Sequence, residues 1–133
     1  MRSLLYPPFP PHDHTAFVPR VIPMPDTIIL ASGSEIRATL LRNAGVQFDV
    51  VIPRVDEDTI KASLIAEQAS PRDIADALAE MKSLRVAAKH PDALVIGCDQ
   101  VLAHNRAILS KPETPADALA KLKALRGETH QLL

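Results

Sequence analysis

The chain has 133 residues, 47% of them hydrophobic, with 15 basic against 16 acidic side chains and a net charge of -1. That is enough for one hydrophobic core and too little for two full domains. The balanced charge excludes a general basic field for nucleic acid or an anionic membrane, so any bound anion must be held locally.

The remaining composition narrows the class further. Aromatic content is 3% with no Trp, which argues against a base-stacking platform. No stretch approaches the roughly 18 apolar residues of a membrane span. The prolines at positions 7, 8, 10 and 11 interrupt any helical signal-peptide core. The single Cys98 lies in an apolar run; it reads as a buried core thiol and fits a reducing cytoplasm.

Residues 1–25 hold seven of the 12 prolines without helical or strand periodicity, which predicts a disordered arm. Met24 is itself a candidate start. From residue 26 to 133 the pattern is that of one α/β domain. Thr27 to Ala31 is a continuous apolar run, the mark of a strand buried on both faces. Ser34 is placed to cap the next helix, with Ile36, Leu40, Leu41 and Ala44 on its apolar side and Gly45 as its stop. Gln47 to Ile52 reads as a second strand, and Asp56-Glu57-Asp58 as an acidic loop before a short helix over 59–68.

Ser70-Pro71-Arg72-Asp73 combines an N-cap, a first-turn proline and an acid at the capping-box offset, opening a long helix to about Lys89. Leu94 to Leu102 predicts one strand, which pairs with Ala107 to Leu109 through a turn at His104-Asn105-Arg106. Thr114-Pro115-Ala116-Asp117 repeats the helix-start chemistry. The apolar face that follows is Ala118, Leu119, Leu122 and Leu125, with Gly127 as terminator. His130 to Leu133 opens a further strand.

Three features can carry chemistry. Ser32-Gly33-Ser34 leads from a buried strand into a helix N-terminus, where free N–H groups, both hydroxyls and Arg37 can cradle a phosphate; a plain cap and turn is the alternative. Asp99 emerges from an apolar run and, with Asp56 and Glu57, forms a carboxylate set able to hold a hard cation and orient a water; a solvated strand end and loop is the alternative. Lys82 falls within the apolar arc of Ala75, Leu78, Ala79 and Val86, so it either snorkels to solvent or reaches a buried anion. Lys111 is a loop cation at a strand end. His130 has no nucleophile motif beside it and reads as structural. No zinc spacing, P-loop or dinucleotide fingerprint is present.

Six ordered blocks resemble the Maf family: Leu30 to Arg37, Val55-Asp56-Glu57, Leu78 to Lys82, Gly97 to Val101, Ser110-Lys111-Pro112 and Gly127 to His130. The resemblance implies a Maf/ITPase-like fold, a mixed twisted sheet flanked by helices. It also implies cytoplasmic, metal-dependent (Mg²⁺ or Mn²⁺) hydrolysis of nucleoside triphosphates to monophosphate and pyrophosphate. By that resemblance Asp99 accepts the proton of the attacking water, Glu57 and Asp99 face the metal, and Ser32, Ser34, Arg37, Lys82 and Lys111 face the phosphates. Ile36 and Gln100 stand at specificity positions, and Asp99-Gln100 is similar to the branch acting on 7-methyl-GTP. Glu35 stands where the family usually has proline, and Ile36 where arginine or tryptophan is common. The family continues beyond the final block, so the resemblance implies that the C-terminal part of the fold is missing. Two alternatives follow: a remnant that binds nucleotide without catalysis, or one that forms a homodimer through an exposed sheet edge.

Overall fold

A computed structural model describes residue 25 and residues 27–133. The arm expected over 1–25 therefore lies, except for Pro25, outside the described residues. Strand β1 (Ile28–Ala31) is followed by α1 (Glu35–Asn43), β2 (Asp49–Val50), α2 (Glu57–Ala66), α3 (Pro71–Ala87) and β3 (Leu94–Gly97). The chain continues through β4 (Leu102–His104), β5 (Ala107–Leu109), α4 (Pro115–Leu125) and β6 (Gln131–Leu132). The class is α/β with both parallel and antiparallel pairing. The two kinds of pairing lie in separate ladders, a parallel β2-β1-β3 and an antiparallel β5-β4-β6.

The parallel ladder follows from its connections, since helices join β1 to β2 and β2 to β3, the long crossovers that parallel strands need. β1 is central, and Ile29, Leu30 and Ala31 are buried as its unbroken apolar run requires. α3 covers this ladder with Ile74, Ala75, Leu78 and Val86 buried. Val51, Ala93 and Val95 pack around Ile29, Ala31 and Val86. Leu30, Ile74 and Leu78 are the largest fully buried side chains, each worth about 1.5–3 kcal/mol by removal from water.

α3 approaches β3 closely because β3 ends in glycine. A Cβ on Gly97 would lie 2.8 Å from Ser83 Cβ and 2.9 Å from Ser83 N, and it would also strike the Ala79 carbonyl. Only a residue without a side chain lets the helix backbone rest there. Helix starts follow the sequence closely: Ser70 accepts from Asp73 N at 3.2 Å, and Thr114 with Asp117 forms a complete capping box. Gly45 and Gly127 take positive φ (75° and 78°) just after α1 and α4. Asn105 and Arg106 both take positive φ (50° and 67°), the backbone of a two-residue hairpin turn between β4 and β5.

Several expectations are corrected. The predicted strand 94–102 is broken: β3 stops at Gly97 and β4 begins at Leu102. In between, Val101 leaves the parallel ladder and exchanges backbone bonds with Leu133 (2.9 and 3.0 Å). The acidic loop is instead a helix start. Asp56 is the N-cap of α2, accepting from Thr59 N at 3.2 Å and Thr59 Oγ1 at 2.8 Å, and Glu57 is the first helical residue. Those bonds from the Thr59 hydroxyl and backbone stabilise the charged carboxyl and hold the Asp56 pKa below its ordinary 3.8.

On α1 the buried residue is Ala38, while Ile36 and Leu40 are 73% and 63% exposed, so the helix turns a different side inward than its apolar stripe suggested. On α4 no residue is buried, and Leu119 and Leu122 stand exposed. Cys98 is half-buried and free rather than fully buried.

Candidate active site

The C-terminal ends of β1 and β3 are adjacent, with Ala31 opposite Gly97, so the segments leaving them, Ser32–Ser34 and Cys98–Gln100, emerge side by side. Crevices beyond the carboxyl ends of parallel strands are the usual ligand sites of α/β sheets. The close seat of α3 on Gly97 brings Lys82 to the same end. Its Nζ lies 2.6 Å from Asp99 Oδ1 and 3.0 Å from Glu57 Oε2. One ammonium thus bridges two carboxylates carried by different elements.

The bridge is graded in burial. The side chains of Lys82 and Asp99 are 6% and 9% exposed, whereas that of Glu57 is 44% exposed. The inner pair is withdrawn from solvent and the third member faces it. Burial by itself would lower the Lys82 pKa. The hydrogen bonds to Asp99 and Glu57, with their negative charges, outweigh it and hold the ammonium above the ordinary 10.5. Lys82 therefore takes the buried-anion option left open by its helical position.

Arg37 ties the other strand end to this one. Its guanidinium donates to the Cys98 carbonyl at 3.2 Å and, more loosely, to Ser32 Oγ at 3.5 Å. Ser32 is buried, and its Oγ also accepts from Ser34 N at 3.2 Å. Ser34 occupies the N-cap position of α1 with extended backbone, but its side chain makes no capping bond. The expectation that Ser34 caps is corrected: its hydroxyl gives the first turn of α1 no capping bond, and among the described residues no other side chain accepts from the first-turn N–H groups.

Lys82 thus contacts both Glu57 and Asp99 directly; Arg37 reaches the carbonyl of the residue before Asp99, Ser32 is linked to Arg37, and Ser34 is linked to Ser32 through its backbone N–H. Lys111 has no polar contact with this group among the described residues. It is exposed and lines an open hollow of about 290 Å³ with Ser110, Glu113, Asp117, Ala120 and Lys121. There the Lys121 Nζ donates to the Ser110 carbonyl at 2.7 Å. Ile36 and Gln100 are exposed. His130 is exposed too.

Two contributors were missed by sequence reasoning. Gly97 sets the α3 approach; an isolated glycine ending an apolar run was its available signal. The Cys98 carbonyl, the acceptor for Arg37, is backbone and leaves no trace in residue type.

Among the described residues no group of three or more His, Cys, Asp or Glu side chains is arranged to hold a metal ion. Glu57 and Asp99 nevertheless converge on one cationic atom. Two carboxylates at one point suit a Mg²⁺-like ion, which commonly takes one or two carboxylates and completes its shell with water and substrate phosphates.

The parallel ladder thus gathers acidic and cationic side chains beyond its strand ends, the place where α/β sheets usually bind their ligands. The chain belongs to the family described as Maf-like protein, whose sequence profile matches residues 27–133. It is 59% identical over 106 residues to a nucleoside triphosphate pyrophosphatase of Ruegeria pomeroyi, covering 80% of this chain and 53% of that protein. A nucleoside triphosphate pyrophosphatase of Caulobacter vibrioides is 51% identical over 105 residues (79% and 52%). A 7-methyl-GTP pyrophosphatase of Brucella abortus is 42% identical over 105 residues (79% and 53%). The chain spans about half the length of these curated relatives. No helix among the described residues is long and apolar enough to cross a membrane.

Proposed function

We propose that this chain carries the phosphate- and water-handling part of a nucleoside triphosphate pyrophosphatase, releasing nucleoside monophosphate and pyrophosphate. The observation that carries the reading is the buried Asp99–Lys82 pair, with Glu57 at its open side and the uncapped start of α1 alongside. The names of the relatives favour the same reaction. In this reading a water oxygen attacks the α-phosphorus in line, its proton passes to the Asp99 carboxylate, and the bond to the bridging oxygen breaks as pyrophosphate leaves.

Lys82, Arg37, Ser32, Ser34 and the first-turn N–H groups of α1 orient the polyanion and offset charge that builds on its oxygens. Glu57 and Asp99 would hold Mg²⁺ or Mn²⁺; when bound, that cation supplies charge neutralisation and lowers the pKa of water. Lys111 belongs to the substrate side only if a bound nucleotide reaches to its hollow. Ile36 and Gln100, exposed beside the strand ends, are the specificity positions in this reading, and 7-methyl-GTP is the leading candidate substrate.

The test is pyrophosphate release from a panel of nucleotides that includes 7-methyl-GTP, with Mg²⁺ or Mn²⁺ present. Turnover is expected to fall by about a thousandfold in Asp99→Ala, on the scale of losing a group that moves a proton in the transition state. Metal-independent turnover, or an Asp99→Ala protein as active as the original, refutes the assignment. A second reading is favoured by the open surroundings of Ile36, Gln100 and Lys111: nucleotide binding without hydrolysis. Calorimetry that detects binding while no pyrophosphate forms would establish it.

A further inference from the structure

We infer that Lys82 is a built-in counter-cation that holds the place of the divalent metal, so that metal entry requires Lys82 to let go of Glu57 or Asp99. The inference rests on the metal assignment above and adds how that site is controlled. Its basis is geometric: a single ammonium nitrogen lies within 3.0 Å of Glu57 and 2.6 Å of Asp99, the two side chains assigned to the metal. Two positive centres cannot share that point, because unit charges at contact distance repel strongly where water is scarce.

The rest of the environment makes the arrangement a stable resting state. Asp99 leaves an apolar strand and is almost fully buried, and a buried carboxylate without a counter-charge is costly. Lys82 meets that need from the buried face of α3, which it shares with Leu78 and Val86. No buried side-chain polar atom among the described residues lacks a partner, so the cluster as it stands leaves no hydrogen-bonding need unmet. Glu57 is the member able to move, being the exposed one at the first turn of α2. A metal arriving with an anionic polyphosphate compensates the exchange, since the released ammonium acquires phosphate oxygens as new partners. Metal occupancy thereby becomes coupled to substrate occupancy.

The experiment uses the full chain and Mn²⁺ alone as probe, followed by calorimetry and by the relaxation of water protons. In Lys82→Met, a substitution of similar length, Mn²⁺ is expected to bind about tenfold or more tightly than in the unaltered protein, the scale of removing one adjacent positive charge. Equal or weaker Mn²⁺ affinity in a folded Lys82→Met protein overturns the inference. In the unaltered protein, acetylation of Lys82 by acetic anhydride, read by peptide mass spectrometry, is expected to speed up several-fold when Mn²⁺ is added. An unchanged rate with Mn²⁺ bound overturns the inference even where Lys82→Met fails to fold. Asp99→Asn separates the two claims. If Mn²⁺ binding is unaffected by Asp99→Asn, the metal assignment itself falls and this inference with it; if binding is lost but the Lys82 results are flat, only the inference falls.

Discussion

The parallel ladder with α3 and the antiparallel ladder with α4 are built from similar sequence signals and end in different physical states. α3 and α4 both open with a Ser or Thr cap, a proline and an aspartate at the capping-box offset, and both carry an apolar stripe. α3 buries five residues, including a charged one, whereas α4 buries none and leaves Leu119 and Leu122 to solvent. The difference teaches that capping chemistry fixes where a helix begins, while burial depends on what lies opposite. α3 lies against a central three-stranded layer whose glycine admits it closely. The candidate site occurs where packing is tight enough to hold a lysine and an aspartate out of water.

The sharpest way to break the comparison is at Gly97. Gly97→Val forces side-chain atoms into the backbone of α3 and is expected to destabilise the chain by more than about 3 kcal/mol in urea unfolding, with the Lys82 cluster disrupted. A near-neutral result would mean that the seat of α3 on β3 does not organise the domain. Next, Leu78→Ala in α3 is expected to cost about 3 kcal/mol, against under about 0.5 kcal/mol for Leu122→Ala in α4. Equal losses at the two positions would show that the α4 stripe is covered in solution.

The caps should erase the contrast. Ser70→Ala and Thr114→Ala are each expected to lower stability by about 1 kcal/mol, since both remove a side-chain acceptor from a helix start. The smallest effect concerns pH. The Lys82 pKa is raised in the folded state, so its pairing contributes fully below the unfolded value near 10.5 and is lost as pH rises through the higher folded value. Urea midpoints measured upward from pH 9 should show that loss in the unaltered protein and not in Lys82→Met.

Much of the local structure was legible because it depends on neighbours in sequence. The apolar run of β1, the capping residues of α3 and α4, the terminators Gly45 and Gly127, and the turn at Asn105-Arg106 all report short-range chemistry. The break at residues 98–101 was only half legible: Asp99 and Gln100 interrupt the apolar pattern, but Val101 and Leu102 resume it, and only the partner of Val101, at Leu133, shows that the chain has changed ladders. The apolar stripe of α1 misled for a related reason, because periodicity identifies a face but not whether a neighbour covers it.

Sequence alone determined the family, most of the order of elements and the residue types from which a site can be assembled, because motifs and caps are local and are written in residue identity. Tertiary structure decided which of those residues meet. It joined Lys82 to Glu57 and Asp99, linked Arg37 to the Cys98 carbonyl, and left Lys111 beside a separate hollow. The physical reason is that an ion pair between residues far apart in the chain exists only where packing fixes their distance, and here a glycine at the end of β3 sets that distance.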